Sequence, residues 1–224
     1  MIDSDLQRAN MVESQIRPSD VTDRRILRAM AEVARHKFVP SALQSLAYMD
    51  EPVPLEECAV VGVNASRRTL FPPRTFAKLV QLTAIEPGDR VLIVGAGRGY
   101  SAAVVSRLAA VTVALECDEK LAASATTALA DFANVSVVVG SLRDGATAEP
   151  PFDVIIVEGA IWERPELLLL RLKSGGRLAA VLNKPGVGHA TLWTRVGDHF
   201  GEVSAFDASA GPLPGFERPM AFVL

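Results

Sequence analysis

The sequence predicts an α/β fold: a mainly parallel, doubly wound sheet with an antiparallel C-terminal edge and an N-terminal helical appendage. Three observations predict it. From Thr75 onward, apolar runs such as RVLIVG, VTVALE, VSVVVG and FDVIIVEGA alternate with helical patterns. Each run is apolar along its whole length, as in strands buried on both faces of a parallel sheet wrapped by helices. The tail then changes texture: TLWTRV, VSAFDA and MAFVL are short strand candidates with no long helix between them.

The elements follow in order. Residues 1–50 are rich in charge and helical spacing. In ILRAMAEVARHKFV, Ile26, Leu27, Met30, Val33 and Ala34 form a helical stripe, with Arg28, Glu32 and Arg35 mostly outside it. Asp20 or Thr22 is placed to cap this helix, and Pro40 limits it. Residues 50–75 are loop-like, punctuated by Pro52, Pro54, Gly62, Pro72 and Pro73. Next come strand RVLIVG, helix SAAVVSRLA, strand VTVALE, helix KLAASATTALADF and strand VSVVVG. Strand FDVIIVEGA, a helix around PELLLLRL, the turn KSGG and strand RLAAVL complete the parallel part. The expected division is an appendage over 1–75 and a main domain over 76–224, packed as one unit.

Composition bounds the function. At 224 residues, 49% of them hydrophobic, the chain can bury a large core. No apolar run reaches the roughly 18 residues of a membrane span, and MIDSDLQRAN lacks the basic and apolar stretches of a secretory signal. Two cysteines, Cys58 and Cys117, suit a reducing compartment and read as small fillers. A balance of 23 basic and 26 acidic residues leaves no footprint for nucleic acid. The expectation is a cytoplasmic protein that binds neither nucleic acid nor membrane.

The chemistry centres on VLIVGAGRGYSAAV, a strand that breaks on Gly95, Gly97 and Gly99 before entering a helix. Glycines there let something approach the backbone closely. A dinucleotide fingerprint requires G-x-G-x-x-G, but position 100 is Tyr, and no G-x-x-x-x-G-K-[ST] phosphate loop is present. The next strand ends in Glu116, placed to accept from both hydroxyls of a ribose. Glycines that only allow tight helix–sheet packing, with Glu116 a solvated strand end, are the plainer reading; the carboxylate tips the balance toward a nucleoside. The G-x-G-x-G spacing resembles the loop of Rossmann-like S-adenosylmethionine-dependent methyltransferases. No Ser-His-Asp set, paired carboxylates or metal cluster is evident, and His36, His189 and His199 are isolated in sequence.

The segments NMVESQI, VTDRRILRAM, FVPSAL, AYMDEPVPL and FPPRTFAKLVQLTAIEPGDRVL precede the glycine turn; PFDVIIVEGA, LKSGGRLAAVL and MAFVL follow it. In this order and spacing, over nearly the whole chain, they resemble the protein-L-isoaspartate (D-aspartate) O-methyltransferases. The resemblance implies S-adenosyl-L-methionine as cofactor and methyl transfer to the α-carboxylate of isoaspartyl residues, the start of protein repair. The partner is then a protein or peptide carboxylate, or a small-molecule acceptor. The cofactor-binding positions it implies are Gly95, Ala96, Gly97, Gly99, Tyr100, Glu116, Cys117, Ser141 and Leu142. Glu158, at the end of the fourth strand, either faces the methionine ammonium or caps the next helix.

The chain departs from the family at three places. The family's substrate loop reads Gln-Thr-Ile-Ser-Gln-Pro, its serine hydroxyl implicated in the reaction; here it is Arg68-Thr69-Leu70-Phe71-Pro72-Pro73. Phe71 thus stands at the serine position, and a phenyl ring donates no hydrogen bond. No catalytic residue is assigned, with Thr69 and Ser66 the remaining hydroxyls. The acidic residue usual two places before the first glycine is Ile93, and the usual Gly-Asp-Gly is Gly140-Ser141-Leu142. Poor turnover of isoaspartyl peptides is therefore expected, and a binding-only or regulatory descendant is the alternative to an enzyme. Residues 60–75 are expected to wall the acceptor pocket over the C-terminal strand ends.

Overall fold

The computed structural model describes residues 3–56, 68–183 and 187–217. Helix α1 (Ser4–Met11) is capped by the Asp3 carboxylate, which accepts from the amides of Asp5 and Leu6. A wide π turn over Val12–Ile16 extends it. Helix α2 (Arg24–Glu32) is capped by Asp23 rather than by Asp20 or Thr22; Asp20 is instead held in the left-handed region at φ 63. It buries Ile26, Leu27, Ala29 and Met30 as the spacing predicts, but it stops at Glu32 because Val33 turns extended. Arg35 therefore falls in a separate 3-10 turn, where it is fully buried rather than outward-facing. Strands β1 (Val53–Pro54) and β2 (Thr69–Leu70) then pair antiparallel.

The remaining elements are α3 (Pro73–Thr83), β3 (Arg90–Val94), α4 (Tyr100–Val105), β4 (Val111–Glu116), α5 (Glu119–Ala128) and β5 (Val135–Val139). They continue with β6 (Phe152–Ile161), α6 (Glu166–Leu169), β7 (Leu172–Leu182), β8 (His189–Val196) and β9 (His199–Asp207). Among the described residues one seven-stranded sheet runs β5-β4-β3-β6-β7-β8-β9. Its first five strands in that order are parallel, and β8 and β9 add the antiparallel edge. The KSGG segment lies inside β7 instead of forming a turn before it. The register slips there, so that Phe152 pairs with Leu172 but Val154 with Arg177. The MAFVL segment lies outside the described residues.

Alternation along each strand splits the core by face. Val91, Ile93, Ala114, Val154, Ile156 and Ala179 pack with Met11, Met30, Phe76, Tyr100 and Leu121. Leu92, Val94, Leu115, Ile155 and Leu178 pack on the other side with Leu168, Trp193, Leu213 and Phe216. The winding is unequal: α1–α5 contribute to the first face, whereas α6 and irregular segments cover the second. The strand order reverses between β3 and β6, and the crevice outside their C-terminal ends is where open α/β sheets take ligands. Among the described residues no helix is long and apolar enough to cross a membrane.

Candidate active site

The glycine turn leaves β3 at this reversal. Gly95, Gly97 and Gly99 all take positive φ, at 80, 57 and 95, a region where a side chain is strained. The amides of Gly95 and Ala96 both donate to the Leu115 carbonyl, at 2.9 and 3.0 Å, and tie the turn to β4. A Cβ on Gly99 would lie 2.7 Å from Leu129 Cδ1, so this glycine lets α4 start against α5. A Cβ on Gly97 would lie 2.6 Å from Leu55 Cδ1; one on Gly95 would lie 2.7 Å from Leu213 Cδ1 and 3.2 Å from Arg68 Nη2. Packing thus explains Gly99, while Gly95 and Gly97 admit close approach by groups from distant segments.

Glu116, at the end of β4, is fully buried rather than solvated. Its Oε2 accepts from the Gly97 amide at 2.7 Å, and its Oε1 from the amides of Cys117 and Asp118 at 2.8 and 3.1 Å. Arg68 completes the shell: Nη1 donates to Oε1 and Nη2 to Oε2, both at 2.9 Å, and Nη2 also reaches the Gly95 carbonyl at 2.9 Å. This fork is the strong, geometrically specific form of an ion pair. Burial pushes the Glu116 carboxyl up, but the Arg68 guanidinium and the surrounding amides outweigh it and hold the carboxyl below its ordinary range.

Glu158 sits near the end of β6, 6% exposed. It does not cap α6, whose start has no side-chain cap. Burial pushes its carboxyl up to about 7, against the pull of the Ser101 hydroxyl and the Arg35 and Arg68 guanidiniums. Among the described residues, Glu158 Oε1, Ser101 Oγ, Tyr100 Oη and Arg35 Nη1 are buried without a hydrogen-bond partner. Arg35 donates its other nitrogens to the carbonyls of Ala47 and Phe71, both at 2.6 Å. Its guanidinium also lies 4.7 Å from the Tyr100 ring centroid. Tyr100 packs its ring between Phe38 and Phe76 and so serves the core.

Arg68, Thr69, Phe71, Glu158 and Gly159 line a chamber of about 10 Å³ beside the turn. Thr69, Ala210 and Gly211 also line a groove of about 800 Å³ that leads away past Arg74, Lys78 and Asp207. Phe71 is buried in the core and presents one side to the chamber. Arg68–Phe71 thus lie at the strand ends; Cys58, Ser66 and the rest of 57–67 lie outside the described residues. Ser141 is exposed, Leu142 is buried in the second core cluster, and Cys117 is half-buried with Sγ 3.5 Å from Glu116 Oε1. Among the described residues no His, Cys, Asp and Glu set suits a metal ion.

The donor set suits a nucleoside with an amino-acid tail. It offers a buried carboxylate bonded to the glycine turn and a second buried carboxylate with an unpartnered oxygen, the kinds of acceptor that a diol and an ammonium use. Sequence reasoning missed Arg68, Leu55, Leu213 and Arg35. Arg68 sits in a loop beside another arginine, and nothing local signals a partner 48 residues away.

A sequence model described as protein-L-isoaspartate(D-aspartate) O-methyltransferase matches residues 6–199. The chain is 36% identical over 196 residues to protein-L-isoaspartate O-methyltransferase 2 of Shewanella sediminis, covering 86% of this chain and 77% of that one. It is 33% identical over 211 residues to the protein-L-isoaspartate O-methyltransferase of Herpetosiphon aurantiacus, covering 93% and 90%. A solved protein-L-isoaspartate O-methyltransferase superposes with TM-score 0.79 at 24% identity, covering 95% of this chain and 66% of that one. A Plasmodium falciparum structure, titled a putative enzyme of this kind in complex with S-adenosyl-L-homocysteine, gives TM-score 0.74 at 17% identity, covering 95% and 99%. These two likenesses establish the fold.

Proposed function

Since this chain belongs to the protein-L-isoaspartate(D-aspartate) O-methyltransferase family, we propose that it methylates a carboxylate on a protein or peptide at the C-terminal ends of β3, β4 and β6. The cofactor is S-adenosylmethionine, which supplies an electrophilic methyl on a sulfonium. The observation that carries the site assignment is the buried Glu116 carboxylate bonded to the Gly97 amide, which joins the glycine turn to an acceptor for a ribose diol. Glu158 then faces the methionine ammonium with its unpartnered Oε1.

An acceptor carboxylate is ionised at neutral pH, so the transfer requires no strong base. The protein's task is to hold that oxygen in line with the methyl and to exclude water. Arg68–Phe71 form the wall, and the groove past Arg74 and Lys78 admits a peptide. In place of the family's serine, Thr69 offers the one side-chain hydroxyl that lines the chamber among the described residues. Relatives named as enzymes favour catalysis over a binding-only descendant.

Methyl transfer to an isoaspartyl peptide, measured on the wild type and on Phe71→Ser, tests this reading. Turnover in the wild type supports it with Phe71 tolerated. Turnover gained only in Phe71→Ser supports a formed but blocked pocket. Silence in both, with S-adenosylhomocysteine bound, overturns the isoaspartyl acceptor.

A further inference from the structure

The Arg68–Glu116 pair lies where the cofactor's ribose is expected. A ribose diol held by Glu116 must donate two hydrogen bonds to its oxygens. Arg68 donates one bond to each oxygen at 2.9 Å, and backbone amides take the remaining positions. The guanidinium is 11% exposed and the carboxylate not at all, so solvent and salt screen the pair little. Arg68 Nη2 is further anchored on the Gly95 carbonyl, at the turn itself. The same nitrogen lies 3.2 Å from where a Gly95 Cβ would stand, which is the close approach the turn was built to allow.

We propose that Arg68 is an internal competitor of the cofactor for Glu116, and so a residue that determines cofactor affinity. It offers the carboxylate two parallel donors, as the two hydroxyls of a ribose would. Binding at the ribose position and the Arg68 fork are therefore mutually exclusive. The apparent affinity for any ligand with a ribose diol is reduced by the fraction of molecules in which the fork is closed. The adjoining chamber of about 10 Å³ has no room for the displaced guanidinium, so the Arg68–Phe71 wall must shift with it. This inference rests on the cofactor assignment made above, and its test separates the two.

Calorimetric titration with S-adenosylhomocysteine is run on the wild type, Arg68→Met and Arg68→Lys. Methionine keeps the stem that packs on the turn and removes both donors; the Glu116 carboxylate keeps its three backbone amides. Arg68→Met is expected to bind about tenfold more tightly or better, and Arg68→Lys, which keeps the charge on a single nitrogen without the two-nitrogen fork, to fall between. Thermal unfolding without ligand confirms that each variant is folded, and Arg68→Lys carries the test if Arg68→Met is not. Adenosine, which has the diol without the amino-acid tail, should gain by a similar factor. A gain for S-adenosylhomocysteine alone would place the relief elsewhere and overturn the proposal. Wild-type binding with equal or weaker binding in both variants overturns the competition and leaves the cofactor assignment standing. No binding by any of the three proteins overturns both.

Discussion

Replacing Glu158 by Gln should change how stability depends on pH, and in one direction only. The carboxyl is buried at the end of β6, and its pKa is pushed from 4.5 up to about 7. Between those values the folded protein holds a proton that the unfolded chain has released. Stability therefore falls as pH rises through this window and is lowest once Glu158 is ionised in both states. A gap of this size corresponds to about 3 kcal/mol, an upper figure because water and side-chain relaxation reduce it. Glutamine cannot ionise, so Glu158→Gln should match the wild type near pH 4.5 and exceed it by about 2–3 kcal/mol at pH 8. Carboxyls held below their ordinary range, Glu116 and Asp153 among them, lose their contribution only at lower pH. His36, whose pKa burial lowers, is common to both proteins and cancels in the comparison. Urea unfolding of both proteins from pH 4.5 to 8.5 measures the difference. Parallel curves across that range would refute the reasoning, because they would mean that Glu158 titrates alike folded and unfolded.

Glu116→Ala should cost about 3–5 kcal/mol of stability by leaving the Arg68 guanidinium buried and unpaired; the double variant with Arg68→Met should recover part of it, and additive losses in chemical denaturation would contradict the pairing. The same single variant should weaken S-adenosylhomocysteine binding by about 1.5–3 kcal/mol, the value of a charged acceptor, and an unchanged dissociation constant would remove Glu116 from the site. Gly97→Ala combines a φ of 57 with a Cβ 2.6 Å from Leu55 Cδ1. It should lower the melting temperature by an amount equivalent to about 1–3 kcal/mol, and a neutral result would show that the turn is not held in this conformation. Thr69→Val should raise the acceptor KM while leaving cofactor affinity alone, and unaltered kinetics would exclude its hydroxyl.

Much of the fold was legible because the central strands β3, β4 and β6 are buried on both faces, unlike β5 at the sheet edge, which has the same apolar texture and no buried residue. The alternation of Val91, Ile93 and Leu92, Val94 between two clusters follows from that burial. Less legible were features decided by one residue's backbone. The α2 stripe continues in sequence past Val33, but the chain leaves the helix there, which turns Arg35 from an outward charge into a buried one. KSGG has turn chemistry, yet pairing with β6 on either side draws it into β7 as an irregularity. At the site, Glu116 was legible from its spacing to the glycines. Its partner was not, because an ion pair across the fold leaves no periodic trace in either segment.

The cover of the glycine turn is drawn from both sides of it in the chain, and this has a consequence for synthesis. Leu55 and Arg68 are translated before the turn, and Leu213 only after β9 is complete. Leu213 is seated by two backbone bonds to the end of β6, with Ala160 donating to the Gly211 carbonyl and accepting from the Leu213 amide. A nascent chain can therefore assemble the parallel strands while one wall beside Glu158 is still inside the ribosome. The site is finished last: until Gly211–Leu213 join the end of β6, the turn is uncovered on that side.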